Sequence, residues 1–297
     1  MSKDDDTKVR IACIQMQPVI GKVEGNVAHS IGLINRAVEQ GAELVVLPEL
    51  SNTGYMFKSR EEAFALSEPI PDGPTVKAWS EVAARHKLHL VAGICERDGS
   101  KLFNSAVLIG PNGTIGTFRK VHLWNEENLY FEPGNLGFPV WRTMGGIFGM
   151  CICNDRRWPE TYRVMGLQGV EMVVLGYNTP SVNSQKAEEG PERRLFHHNL
   201  SVQAGAYQNS TWVIATAKCG VEDGHPLFGG SCIVNPDGEI VAAARTEDDE
   251  LVVADCDLAA TVFNKETIFD FERHRRIEHY GRITGQVGVT LPPETSP

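Results

Sequence analysis

Gly149-Met150-Cys151-Ile152-Cys153-Asn154-Asp155-Arg156-Arg157-Trp158-Pro159-Glu160 runs from an apolar, strand-like stretch through a cysteine and a sharp turn into a helix start. A thiol at such a junction lies where backbone N–H groups converge, which favours thiolate. Cysteines within strands otherwise act as small hydrophobes, and Cys151 is read that way. Strand alternation would give Cys153 the same face, but the turn that follows breaks the equivalence. Cys153 is therefore the candidate nucleophile.

Outward from this stretch the chain alternates strands with amphipathic helices. Val9 to Met16 reads as a strand, and Val27, Ile31, Ile34 and Val38 recur at helical spacing between Asn26 as N-cap and Gly41 as stop. Glu43 to Leu47 is a strand, Thr75 opens a second helix through Val76, Trp79 and Val82, and Leu88 to Cys95 returns to strand. Pro111-Asn112-Gly113 and Pro236-Asp237-Gly238 each sit between two short apolar runs and predict hairpins. Further units span Ile147 to Cys153, Pro159 to Gly169 and Met172 to Tyr177, then Arg193 to Tyr207 and Thr211 to Ala217. An α/β fold with a mixed pair of sheets covered by helices accommodates this order. No Ser-, Gly- or Pro-rich linker divides the chain, so one domain is expected over 8–280. The segments 51–75 and 179–191 are expected to be pocket walls, and 281–297 a C-terminal tail without periodicity.

The 297 residues carry a net charge of −10 with 42% hydrophobic and 22% charged side chains. That balance disfavours nucleic acid and anionic membrane as partners. No apolar run reaches a membrane span, and the acidic start lacks the apolar core of a signal peptide, so a cytoplasmic protein with a small-molecule substrate is expected. Seven cysteines form an odd set lying mostly inside apolar runs, which reads as reduced thiols. Cys151 and Cys153 share one strand with no second pair at zinc spacing, so no metal and no cofactor is expected.

Two charged residues occur where they could complete a catalytic set. Glu49 closes the run Leu44-Val45-Val46-Leu47-Pro48, and Lys120 lies in Phe118-Arg119-Lys120-Val121-His122-Leu123. Amide hydrolysis needs a nucleophile, a base, a proton for the leaving amine and positive charge at the oxyanion. Cys153, Glu49 and Lys120, with the backbone N–H of Asn154, can supply these. Glu132, in Tyr130-Phe131-Glu132-Pro133-Gly134, could position Lys120 or water. Taken singly, Glu49 also reads as a solvated carboxylate and Lys120 as an edge-strand charge.

Pro48-Glu49-Leu50, Arg119-Lys120-Val121-His122-Leu123 and Ile152 to Glu160 together resemble the three signature segments of the nitrilase superfamily of carbon-nitrogen hydrolases. The resemblance spans Val9 to about Tyr280. It implies a four-layer αββα sandwich that associates into homodimers or homotetramers, with Glu49 as base, Lys120 as oxyanion partner, Cys153 as nucleophile and Glu132 as auxiliary carboxylate. Cys153 to Glu160, Gly176 to Pro180 and Phe196-His197-His198 leading to Asn209 look most like the N-carbamoyl-D-amino acid amidohydrolases. Two adjacent arginines, Arg156 and Arg157, suit bidentate recognition of a carboxylate, although one of them could instead pair with Asp155 or Glu160. Asn178 and Thr179 are read as substrate contacts, with His122 and Asn154 beside them. The segments 120–132 and 181–191 depart from that branch. An aliphatic amidase, a nitrilase or an N-carbamoyl-β-alanine hydrolase is the alternative within the superfamily, and a non-catalytic scaffold the alternative outside it.

Overall fold

The computed structural model describes residues 7–182, 185–186 and 188–295. Its strands and helices follow in the order β1 (Lys8–Gln15), α1 (Val23–Glu39), β2 (Leu44–Val46), α2 (Arg60–Leu66), α3 (Pro74–His86), β3 (His89–Asp98), β4 (Lys101–Gly110), β5 (Gly113–Arg119), β6 (Val140–Thr143), β7 (Gly146–Ile152), α4 (Pro159–Gly166), β8 (Met172–Tyr177) and α5 (Pro191–Asn209). After α5 come β9 (Trp212–Ala217), β10 (Cys219–Glu222), β11 (His225–Phe228), β12 (Cys232–Val234), β13 (Ile240–Ala243), β14 (Glu250–Asp257), α6 (Val262–Glu266), α7 (Phe271–His274) and α8 (Gly281–Gly285). One six-stranded sheet has the order β14-β1-β2-β3-β4-β5 and the other β13-β12-β9-β8-β7-β6. Both are mixed: β1, β2 and β3 run parallel, as do β7, β8 and β9, with antiparallel strands at the edges.

The layering follows from side-chain alternation. In β1, Val9, Ile11 and Cys13 face the core between the sheets, while Ala12 and Ile14 face α1 and α3 through Leu33, Ile34, Trp79 and Val82. Every residue of β8 is buried, as expected of a strand covered on both sides. On the far side Tyr162 and Met165 of α4 and Val202 and Ala206 of α5 cover the second sheet. The result is an αββα sandwich forming a single domain. Both Pro-X-Gly turns close the expected hairpins, joining β4 to β5 and β12 to β13.

Helix α1 begins earlier than the pattern suggested. Its N-cap is Lys22, and Asn26 is instead buried in the first turns, where its amide bonds Val19 and the carbonyl of Asn52. An Asn that finds tertiary partners has no need to cap. The segment 51–75 contains the helix α2, and the tail gains the short α8, beyond which the described residues are exposed. Among the described residues no helix is long and apolar enough to cross a membrane.

Glycines bring the two sheets together at Glu49. A Cβ on Gly93 of β3 would lie 2.4 Å from the Pro48 carbonyl oxygen, and one on Gly176 of β8 would lie 2.5 Å from the Glu49 nitrogen. Gly93→Ala or Gly176→Ala is therefore expected to destabilise the fold by about 1–3 kcal/mol and displace Glu49. Thermal unfolding together with turnover checks this, and a full-stability, fully active Gly176→Ala protein would contradict it.

Candidate active site

Glu49 follows directly from β2, with its side chain wholly buried between the sheets. One carboxylate oxygen, Oε1, accepts hydrogen bonds from Lys120 Nζ at 2.7 Å and Asn104 Nδ2 at 2.7 Å. The other, Oε2, has no hydrogen-bond partner among the described residues. Lys120 leaves the end of β5, its N–H bonded to Asn104 and its carbonyl to the Gly134 N–H. Its ammonium sits between two carboxylates, Glu49 and Glu127, the second at 2.5 Å.

Glu127 stands where Glu132 was expected. A short 3-10 helix over Asn125–Leu129 turns Glu127 inward to 3% exposure, and its Oε2 accepts the Trp124 N–H at 3.0 Å. The Glu132 side chain is half exposed and reaches Arg60 at 4.0 Å. Five residues of 3-10 helix carry no readable period, so which acid of Glu126-Glu127-Asn128-Leu129-Tyr130-Phe131-Glu132 turns inward is decided by the turn.

Cys153 caps β7 in a left-handed conformation, φ 45°, and opens a 3-10 turn over Cys153–Arg157. A non-glycine residue held there costs on the order of 1–3 kcal/mol, a strain that aims the thiol out of the sheet. Sγ donates to the Asn178 carbonyl at 3.3 Å and lies 3.6 Å from an Arg156 nitrogen. Cys151, two residues earlier, is fully buried on the face of β7 that Gly149 presses against Met165 of α4. Asp155, fully buried, staples the turn. It accepts from the Ile152 N–H at 3.1 Å, and from the His122 N–H and Nδ1 at 2.8 Å each. Asp155 thus joins the cysteine turn to the segment after Lys120 and pairs with His122, where sequence offered it as an arginine partner.

Burial, and then the Glu49 carboxylate, push the Cys153 thiol up, against the pull of Lys120 and Arg156. The resting sulfur is therefore a thiol that needs a base. Burial pulls Lys120 down, but the Glu127 and Glu49 carboxylates and Cys153 outweigh it and hold the ammonium well above the usual lysine range. Burial also raises Glu127, partly offset by Lys120 and reinforced by Glu49. Two carboxylates on one ammonium behave as a coupled set.

The remaining expected contacts are distributed unevenly. Asn178 and Thr179 are both nearly buried beside the cysteine turn, and the Asn178 side-chain oxygen has no partner among the described residues. The Asn154 amide bonds the carbonyls of His122 and Leu123 at 3.3 and 3.4 Å. Arg156 is 2% exposed, and its guanidinium bonds the Cys153 carbonyl at 2.6 Å and the Thr179 hydroxyl at 3.2 Å while lying over the Tyr177 ring. It braces the turn from beneath, leaving little of it for a ligand. Arg157 is exposed and lies over the Trp124 ring, 4.8 Å from its centroid. Helix α5 adds Arg194, buried and 3.8 Å from Glu189, which the sequence did not single out. Desolvation, and then the like charge of Arg156, pull Arg157 below the usual arginine range. A cavity of about 650 Å³ lies elsewhere, between α4 and residues 268–284, and is lined by none of Glu49, Lys120, Cys153 or Glu127.

A thiol, a carboxylate with one open oxygen and a doubly paired ammonium in one buried recess can add sulfur to a polarised carbon and move a proton on and off nitrogen. Those are the groups that cleavage of a carbon-nitrogen bond calls for. Residues 10–263 match the carbon-nitrogen hydrolase family, and the chain belongs to it. It is 37% identical to a nitrilase of Pyrococcus abyssi over 276 residues, covering 92% of this chain and all of that one. It is 32% identical to the N-carbamoylputrescine amidase of Solanum lycopersicum, covering 80% of this chain and 82% of the other. A carbon-nitrogen hydrolase structure from Helicobacter pylori superposes with TM-score 0.86 at 27% identity, covering 95% of this chain and 99% of that one.

Proposed function

We propose that the protein hydrolyses a linear amide that carries a carboxylate, an N-carbamoyl-D-amino acid giving the free amino acid, carbon dioxide and ammonia. The observation that carries the hydrolytic part is the sharing of Lys120 by Glu49 and Glu127, which leaves Glu49 Oε2 open. In this reading Glu49 takes the Cys153 proton as sulfur adds to the ureido carbon. Lys120 and the N–H of Asn154 hold the oxyanion. Collapse expels an amine protonated by Glu49, and a water deprotonated by Glu49 then cleaves the thioester-like intermediate. Glu127 fixes Lys120 in both halves of the cycle.

The carbamoyl part draws support from the tomato relative named as an N-carbamoylputrescine amidase. The carboxylate part draws on Arg157, whose side chain reaches the surface beside the positive charges of Arg156 and Arg194. A bound anion would relieve that repulsion. Arg157→Ala is therefore expected to raise KM for carbamoyl acids about tenfold or more while leaving neutral amides within a few-fold. Equal effects on both would remove the carboxylate contact. The test of the whole is ammonia release from N-carbamoyl-D- and L-alanine, N-carbamoyl-D- and L-phenylalanine, propionamide and a nitrile. Release from propionamide alone supports an amidase, release from the nitrile alone the activity named in the Pyrococcus relative, and silence on all a scaffold.

The same proposal extends to assembly and setting. Phe196, Leu200 and Tyr207 of α5 and Phe263 of α6 are exposed large apolar groups, which suit burial against a second copy, measurable by light scattering. All seven cysteines are free and buried, which suits the reducing cytoplasm.

A further inference from the structure

A second buried acid-base pair lies outside the cluster just described. Lys218, just before β10, and Glu222, its last residue, are 1% and 2% exposed and form an ion pair. The Glu222 carboxylate also accepts the backbone N–H groups of Tyr55 and of Met56, the latter at 3.0 Å. Gly54 makes room for it: φ is +83°, and a Cβ there would lie 2.7 Å from Glu222 Oε1 and 2.7 Å from Ile20 Cα. The Lys218 ammonium sits 5.9 Å from the centre of the Tyr55 ring.

Tyr55 in turn lies against the catalytic cluster. Burial of its phenol, and then the Glu127, Glu49 and Cys153 charges, push Tyr55 well above the usual tyrosine range, with Glu127 also bonding the phenol. Its ring packs in the apolar cluster of Leu50, Phe57, Phe131, Leu123 and Tyr130, which backs the 3-10 turn that carries Glu127. Burying two opposite charges contributes little net stability, since desolvation consumes most of the attraction, and an apolar pair of similar volume would hold the loop as firmly. What the pair adds is direction: two backbone N–H groups are fixed on one carboxylate oxygen, and with them the residue that touches Glu127.

We propose that Lys218 and Glu222 are positioning residues that set Tyr55 against Glu127, so that the hairpin β10–β11 controls the electrostatics of Lys120 from outside the catalytic recess. The inference rests on the proposed role of Glu127, and its test separates the two. Four variants are compared with wild type: Tyr55→Phe, Glu222→Gln, these two combined, and Glu222→Gln with Lys218→Met, which removes both charges. Hydrogen exchange of segments 51–57 and 124–130 reads the linkage without any turnover. Glu222→Gln is expected to loosen both segments, and Tyr55→Phe only 124–130.

On whichever amide the wild type hydrolyses, Tyr55→Phe and Glu222→Gln are each expected to lower kcat about tenfold with KM within about twofold. Combined, they should do no worse than the more severe single change, as for residues acting through one path. The charge-free Lys218→Met variant is expected to recover Tm but not kcat. Unchanged exchange over 124–130 in Glu222→Gln, multiplying kinetic effects, or kcat returning with Tm would each overturn the proposal. Altered exchange in a protein inert on every amide would instead keep the linkage and remove the catalytic reading of Glu127.

Discussion

Cys153→Ala is expected to fold with an unchanged melting transition and to lose at least about 10⁴-fold in turnover, because no other sulfur can take its place. The nearest rival by sequence, Cys151, is fully buried on the Gly149 face of β7, which packs against Met165 of α4, and burial followed by the Asp155 charge pushes its thiol well above the usual range. Cys151→Ala removes a packed sulfur and should cost about 1–2 kcal/mol of stability with kcat within a few-fold of wild type. The two variants thus separate along different axes, one chemical and one structural. Ammonia release and thermal unfolding on the same preparations check both. Near-wild-type turnover in the Cys153 variant would end the nucleophile assignment.

Glu127→Gln should lower kcat by about 10²–10³, the scale typical for losing one preorganised electrostatic partner, whereas Glu132→Gln should change it less than twofold. Lys120 would keep its bond to Glu49 but lose the 2.5 Å partner that shares its charge, drawing Glu49 more tightly onto the ammonium and away from the thiol. The pH profile carries a second signature. Burial and Glu49 raise Glu127, against the pull of Lys120, so on acidification it takes up its proton at a higher pH than an ordinary glutamate. The acid limb of kcat/KM is therefore expected above the usual carboxylate range in wild type, and Glu127→Gln should displace or abolish it. The groups facing this carboxylate are Lys120, Glu49 and Tyr55. An unchanged acid limb in the variant would exclude Glu127 as its source.

The α/β class and the strand order near the nucleophile were legible because both depend on short-range pattern. The short apolar run Met172 to Tyr177, with its adjacent valines, reads as a strand buried on both faces, and Pro-X-Gly turns specify hairpins locally. The turn after Ile152 was legible for the same reason, since the apolar run stops at a polar, charged stretch. Asn26 was misread because its side chain answers to Asn52, a partner 26 positions away. Arg156 and Arg157 were indistinguishable as neighbours, yet the 3-10 turn buries one under Cys153 and leaves the other on the surface.

By itself the sequence determined the class of the fold and the identity of Glu49, Lys120 and Cys153 as candidates, because Glu49 and Cys153 each close an apolar run and the three segments together resemble the signatures of one superfamily. Only the tertiary structure decided that Glu127 and not Glu132 shares the ammonium, that Asp155 belongs to His122, and that Lys218 and Glu222 reach Tyr55. These choices turn on a 3-10 helix of five residues and on contacts across 33 positions for Asp155 and 167 for Glu222, distances over which no local period survives.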